Sequence, residues 1–180
     1  MSIVCAVRAP GGGVWVGSDT ECTSGNVREY VGPKWVKCGR FWIGWTGGVR
    51  GQNLIVANAG SIGRLNSFIE IVDAINGLIL GDKWEPRKDP GDPLHWDCAA
   101  IITDGSDIAS VGGDMSFTIQ PKRAAIGSGA EAALGAYAVL APMDAKNLIG
   151  NMLSAAIEIS RSCSGEPWYR PIDKPENPDA

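Results

Sequence analysis

The stretch that decides the fold lies near the amino end, where residues 2–19 read SIVCAVRAPGGGVWVGSD. Two runs rich in β-branched residues flank a turn cluster, Pro10 to Gly13, and this combination is typical of a β-hairpin. A second pair of such runs, KWVKCG and FWIGWTG, surrounds Gly39 and Arg40 and predicts a second hairpin. The chain therefore begins inside a sheet, with Ser2 at the head of its first strand.

Helical and β-type segments follow in turn along the rest of the chain. Apolar residues recur at helical spacing through VRGQNLIVANA and NSFIEIVDAINGLIL, which predicts two helices. Short β-type runs then return as CAAIITDG, IASVGG, SFTIQPK and RAAIGSG, and they predict a second sheet built from local hairpins. AEAALGAYAVLA and DAKNLIGNMLSAAIEISRS predict two final helices, whereas residues 82–97 are rich in proline and aspartate and predict a loop.

This order of elements belongs to the α+β class. It predicts two antiparallel sheets packed face to face with helices on both outer sides, a four-layer αββα sandwich. A chain of 180 residues with 44% hydrophobic content can bury one sizeable core. We expect a single domain over residues 1–165, followed by a proline-rich tail over residues 166–180.

Composition narrows the classes of partner and chemistry. The net charge is −4 and no basic run is present, which disfavours nucleic acid and anionic membrane surfaces as partners. Neither a signal peptide nor an apolar run of membrane-spanning length is seen, so we expect a cytoplasmic protein. The five cysteines include no CxxC pair and predict reduced thiols, and the single histidine, His95, is expected to be structural. No metal and no cofactor is expected.

Several motifs occur together in a characteristic order. They are SIVCAV, GGGVWVGSD, TSGN, GPKWVK, GWTGGVRGQ and AIGSGAEAALGA, and they lie within residues 2–136. In this order they resemble the proteasome β-type subunits, and most closely the bacterial HslV peptidases, and the resemblance extends over roughly residues 2–162. The resemblance implies the fold of N-terminal-nucleophile hydrolases, in which the first residue of the mature chain is the catalyst.

The resemblance implies that Ser2 is the nucleophile once Met1 has been removed. A serine hydroxyl needs a base, and a free α-amine with a reference pKa of about 7.7–8.0 can serve near neutral pH. While Met1 is attached, that nitrogen is an amide and Ser2 has no base. Once Met1 has been removed, Ser2 carries both the nucleophile and the base, so no histidine is required.

The resemblance also assigns supporting roles. Lys34 would place positive charge beside the Ser2 amine and hydroxyl, with Asp19 as the ion-pair partner that keeps the lysine charged. The backbone N–H of Gly47 would stabilise the oxyanion, and Ser128 would hydrogen-bond near the Ser2 amine.

Three further residues fall where the resembled proteins bind substrate: they are Thr23, Thr46 and Gly48. The activity implied is that of a threonine- or serine-type peptidase that assembles into homo-oligomeric stacked rings and cleaves unfolded polypeptides. An AAA+ ATPase unfoldase is a possible partner, and Trp15 or Trp84 is expected to be buried between subunits.

Each assignment has an ordinary alternative. Lys34 and Asp19 on a surface would form a solvated pair worth about 0–1 kcal/mol, and Gly127 to Gly129 would simply cap a helix. The sequence also departs from the resembled pattern, with serine for threonine and with Ser162 or Ser164 where a late aspartate is expected. Two other functions therefore stay open: a catalytically silent scaffold of proteasome type, and an amidohydrolase acting on a small amide.

Overall fold

The two hairpins predicted near the amino end are both present in the computed structural model. It describes residues 2–24, 27–82 and 96–174, and for residues 23, 24, 27 and 28 it describes the backbone only. The strands are β1 (Val4–Arg8), β2 (Val14–Ser18), β3 (Glu21–Ser24), β4 (Val27–Tyr30), β5 (Trp35–Cys38), β6 (Phe41–Gly47), β7 (Cys98–Thr103), β8 (Ile108–Val111), β9 (Phe117–Gln120), β10 (Arg123–Ile126) and β11 (Trp168–Ile172). The helices are α1 (Val49–Ala57), α2 (Ala59–Ile62), α3 (Phe68–Gly81), α4 (Ala130–Leu140) and α5 (Ala145–Ile159).

The described strands form two larger sheets and one two-stranded ribbon. The first sheet has the order β10-β1-β2-β11, the second has the order β5-β6-β7-β8-β9, and β3 pairs with β4 in the ribbon. Neighbouring strands are antiparallel throughout.

The alternation of side chains along the strands builds three apolar layers. In the first strand, Cys5 and Val7 pack with α4 and α5, whereas Val4 and Ala6 pack between the two sheets. The second sheet buries its other face against α1, α2 and α3. The layers thus run helix, sheet, sheet, helix, and the predicted αββα sandwich is confirmed.

The predicted assignment of strands to sheets needs correction. The sequence predicts that the four later β-type runs form a sheet of local hairpins, but β10 leaves them and pairs with β1, from Val4 opposite Ile126 to Val7 opposite Arg123. The β5–β6 hairpin instead joins β7, β8 and β9 through pairing of β6 with β7. Such pairings join residues that are distant in sequence, and they depend on which buried faces match.

The ribbon of β3 and β4 and the short helix α2 were not predicted, because their local signals are weak. The ribbon of β3 and β4 is largely polar, and α2 has only four residues. The two helices predicted for residues 49–80 correspond to α1 and α3, and those predicted after residue 129 correspond to α4 and α5.

The segment interpreted as a tail is in part a strand of the sandwich. Trp168–Ile172 forms β11, which pairs along the whole of β2, and Ile172 is buried between the sheets. The boundary after residue 165 is therefore wrong for this segment. The predicted loop lies outside the described residues over 83–95, as do Trp84 and His95 within it, and so do Met1 and residues 175–180.

Apolar side chains and thiols are placed as follows. All five cysteines are free, and Cys5, Cys38 and Cys163 are buried. Trp15 is half-buried and lies beside Tyr169, with ring centroids 6.3 Å apart, so it packs within the subunit.

Within the described part of the chain, no helix has the length and apolar character needed to span a bilayer.

Candidate active site

A buried ion pair lies where the ends of two strands meet. The Lys34 ammonium is 2.5 Å from Asp19 Oδ1, and the side chains of the two residues are only 4% and 0% exposed. Lys34 Nζ also donates to the carbonyl of Glu21 at 2.6 Å, and the Lys34 backbone N–H donates to Ser18 Oγ at 3.0 Å. The alternative of a solvated surface pair is therefore wrong.

Asp19 joins three parts of the chain. Its Oδ1 accepts from the Ile3 N–H at 3.0 Å as well as from Lys34, and its Oδ2 accepts from the Ser164 N–H at 3.3 Å. The Asp19 N–H in turn donates to the Ile3 carbonyl at 3.3 Å. One carboxylate thus fixes the head of β1, the end of β2 and the segment after α5 relative to one another.

Ser2 lies at this junction and is only 4% exposed. Its carbonyl accepts from Ser128 Oγ at 3.4 Å and from the Gly129 N–H at 3.4 Å. A Cβ on Gly127 would clash with the Ser2 carbonyl and would lie 3.0 Å from Thr46 Cγ2, so Ser2 and Thr46 both lie against the Gly127 backbone. The structure therefore brings Ser2, Ser128 and the end of β6 together.

The ordinary interpretation of Gly127 to Gly129 as a helix cap is confirmed at Gly129, but the Ser128 hydroxyl bonds elsewhere. The N-cap of α4 is Gly129, and no side chain hydrogen-bonds at that cap. The Ser128 hydroxyl is directed to Ser2 instead.

The predicted oxyanion residue and two of the three predicted substrate residues lie at the end of β6. Gly47 has φ +111°, and a Cβ there would clash with the carbonyl of Asp97, so only glycine fits this turn. Gly48 is the N-cap of α1, and Thr46 is buried with its Oγ1 3.4 Å from the Ala99 carbonyl. The Thr23 side chain lies outside the described residues, although its backbone belongs to β3.

Ser162 and Ser164, the two serines that occur where the resembled proteins have a late aspartate, are placed differently. Ser164 is 4% exposed, its N–H donates to Asp19, and its hydroxyl is buried with no hydrogen-bond partner among the residues that the structure describes. Ser162 Oγ is instead 3.4 Å from Ser160 Oγ. Of the two, Ser164 belongs to the site. The motif SRSCSGE indicated this region but not which serine contacts Asp19.

Thiols lie close to the site but do not suit nucleophilic attack. Cys163 Sγ is 3.9 Å from Ser128 Oγ, and burial raises the pKa of this thiol. Burial also raises the pKa of Cys5, and it raises that of Cys98, which faces Gly47 across β6 and β7, to about 12. These thiols stay protonated near neutral pH, and a thiol is a much weaker nucleophile than a thiolate. No three His, Cys, Asp or Glu side chains are grouped to hold a metal in residues 2–24, 27–82 and 96–174.

Comparison with solved structures gives the fold a known counterpart. The chain is similar to BPH of Thiobacillus denitrificans, at 22% identity and a TM-score of 0.76 over 97% of this chain and 100% of that one. It is also similar to BPH of the same organism in complex with epoxomicin, at 19% identity and a TM-score of 0.76, over 95% of this chain and 99% of that one. The third is eukaryotic HslV from Trypanosoma brucei, at 18% identity and a TM-score of 0.68, over 95% of this chain and 99% of that one.

These similarities extend over nearly the whole chain. No protein-family model matches the sequence, and no curated protein matches it. The chain therefore shares the fold of these BPH and HslV structures, which is the fold that the resemblance of its motifs to HslV implied. At this level of identity the comparison establishes the fold, and the chemistry has to be argued from the site.

Proposed function

We propose that this protein is a peptidase of the N-terminal-nucleophile type, with Ser2 as nucleophile after removal of Met1. The observation that carries the proposal is the buried Lys34–Asp19 pair, which is fixed to Ile3 at the head of β1. Withdrawing two charges from water costs several kcal/mol per ion, on the order of what their attraction returns, so such a pair is a poor source of stability. Its place beside Ser2 supports a catalytic purpose.

The chemistry follows from the groups around Ser2. With Met1 gone, the α-amine of Ser2 accepts the hydroxyl proton while Oγ bonds to the carbonyl carbon of a substrate peptide. The carbonyl electrons move to oxygen, then return as the C–N bond breaks, and the leaving amine takes the proton. Water next attacks the Ser2 ester with the same amine as base, which restores the hydroxyl and releases the acid.

Surrounding groups stabilise these steps. The Lys34 charge favours the ionised hydroxyl over the neutral one, because an opposite charge nearby stabilises an anion. The Gly47 N–H is assigned to the oxyanion, a contact whose loss in other hydrolases costs about 2.7–4 kcal/mol.

The hydroxyls of Ser128 and Ser164 are assigned to hold the freed Ser2 amine. Ser128 Oγ already contacts the Ser2 carbonyl, and the buried Ser164 hydroxyl has no partner within the described part of the chain. Ser164 would take the place of the late aspartate that is expected in the resembled proteins, whereas Ser128 keeps the role that the resemblance gives it.

Assembly and substrate belong to the same proposal. We assign the subunit to stacked homo-oligomeric rings that enclose the site and admit unfolded polypeptide, with an AAA+ ATPase unfoldase as partner and the cytoplasm as location. Similarity to HslV over 95% of the chain supports the ring. Native mass spectrometry checks it, since the assembly should have a mass that is a multiple of 18.9 kDa.

The test is covalent trapping of the nucleophile. Protein released from a cleavable fusion so that Ser2 is the first residue is incubated with a peptide β-lactone, and the intact mass and adduct position are measured. We expect one adduct per subunit on Ser2, and none in Ser2→Ala of the same assembled mass. Assembled protein with a free Ser2 that takes no label would favour the silent scaffold. Labelling with turnover of small amides but not peptides would favour the amidohydrolase.

A further inference from the structure

We propose that Trp45 is a positioning residue that holds the Gly47–Gly48 turn in its active conformation. The inference rests on the proposed function, because it assigns a purpose to the residue that precedes the oxyanion turn by two positions. Trp45 does not contact the reacting atoms in this scheme. It acts through the backbone that carries the Gly47 N–H.

The indole of Trp45 is bound to this turn directly. Trp45 is 2% exposed, and its Nε1–H donates to the Gly48 carbonyl at 3.1 Å. The Gly51 N–H donates to the same carbonyl at 3.0 Å, and the Trp45 N–H donates to the Lys34 carbonyl at 3.0 Å. One residue thus connects the turn to the segment that carries the buried lysine.

The turn has no side chains of its own to fix it. Gly47 and Gly48 are free to adopt many backbone conformations, and glycine loses more conformational freedom on ordering than any other residue. The α1 N-cap at Gly48 also lacks a side-chain hydrogen bond. The indole N–H therefore supplies the side-chain contact that orients the Gly48 peptide.

The packing around the indole requires glycine at one further position. A Cβ on Gly51 would clash with Trp45 Cζ2, so the ring lies directly on the backbone of α1. The indole is thereby confined between β6 and the first turn of α1. Rotation of the ring away from Gly48 would need movement of that helix.

The experiment uses two trapping reagents, of which only one reacts with Ser2 through a carbonyl oxyanion. A peptide β-lactone acylates Ser2 by opening its ring, with a tetrahedral oxyanion that needs the Gly47 N–H. A peptide vinyl sulfone adds its β-carbon to Ser2 Oγ while the proton goes to its α-carbon, and it forms no carbonyl oxyanion. Second-order labelling rates are measured for both reagents on the assembled protein with Ser2 first.

Trp45→Phe keeps an aromatic ring against Gly51 and removes the N–H. We expect β-lactone labelling to slow about five- to tenfold, the order expected for one lost hydrogen bond, with vinyl sulfone labelling nearly unchanged. Trp42→Phe is the matched control on the same strand, where a phenyl ring can keep the stacking of Arg170, 4.8 Å from the Trp42 ring. Both rates should stay at the wild-type value in this control.

A second variant keeps the inference testable if Trp45→Phe is poorly folded. In Gly51→Ala the added methyl group would displace the indole from the Gly48 carbonyl, so β-lactone labelling should slow while vinyl sulfone labelling stays nearly unchanged. Equal slowing of both reagents, or no slowing, would overturn the positioning role while wild-type labelling still upheld the proposed function. Wild-type protein that takes neither label would contradict the proposed function itself.

Discussion

The Asp19 carboxylate accepts hydrogen bonds from three separate parts of the chain, and these contacts give the residue its influence on the fold. The three donors are the Ile3 N–H, the Lys34 ammonium and the Ser164 N–H. A carboxylate offers acceptors on both oxygens, whereas an amide would turn an NH2 group toward one of these donors. The charge of Asp19 therefore serves both the assembly of three segments and the proposed chemistry.

Replacement of Lys34 by methionine is expected to destabilise the protein. The change keeps a long side chain but leaves the buried Asp19 carboxylate without its counter-charge, which costs about 3–5 kcal/mol in comparable pairs. Urea unfolding of Lys34→Met and wild type measures the difference. Lys37→Met is the matched control on the neighbouring strand, where the lysine is exposed, and it should lie within about 0.5 kcal/mol of wild type. Equal unfolding midpoints for the two variants would contradict the burial of the pair.

At the scale of elements, local signals predicted well what is formed locally. Both early hairpins are present because Pro10 to Gly13 and Gly39 to Arg40 provide turns between β-branched runs. The partner of β10 was not predicted, since pairing of Ala125 with Cys5 joins residues far apart in sequence. The hairpin rule predicts pairing only between strands that follow each other in the chain. Here β10 pairs with β1 instead, because the buried faces of these two strands match.

The same limit applies to the candidate site. Ser2, Asp19, Lys34 and Ser128 could be proposed from motifs, and the structure places them together. The contact of Ser164 with Asp19 spans 145 residues, and it depends on where α5 ends above β1 and β2. No local pattern carries such a contact. The contact of the Trp45 indole N–H with the Gly48 carbonyl likewise has no sequence signature, because a tryptophan in a buried strand is typical of any core.

Two helix glycines offer a test of the element boundaries. Gly77 in α3 and Gly135 in α4 are exposed, and a Cβ at either meets no atom within 4 Å. Alanine in a helix interior is favoured over glycine by roughly 0.5–1 kcal/mol. We expect Gly77→Ala and Gly135→Ala each to raise the free energy of unfolding by about this amount, measured by urea denaturation. Their effects should add, because the helices lie on opposite faces of the sandwich. Destabilisation by either change would contradict its helical position.

At the scale of the whole molecule, the sandwich is completed only by its last strand. The layer between the sheets includes Val4 and Val16 from early strands, Ile101 from the middle of the chain, and Ile172 from β11. Antiparallel pairing of β11 with β2 covers what would otherwise be an exposed sheet edge. The domain therefore extends to residue 172, and we expect its stability to depend on β11 as well as on β1 and β2.

Truncation of one isoleucine in β11 tests this conclusion. Ile172 is 7% exposed between the sheets, whereas Ile159 at the end of α5 is 71% exposed. Removing a buried isoleucine side chain down to Cβ costs about 2–5 kcal/mol, because apolar contact is lost and a cavity remains. Ile172→Ala should lower the free energy of unfolding by this amount, while Ile159→Ala, the same change at an exposed position, should alter it by about 0.5 kcal/mol or less. If both variants unfolded at the same urea concentration, β11 would be an appendage, and the boundary near residue 165 would stand. A lower free energy of unfolding in Ile172→Ala alone would instead mean that a segment with the composition of a tail completes the core around the site.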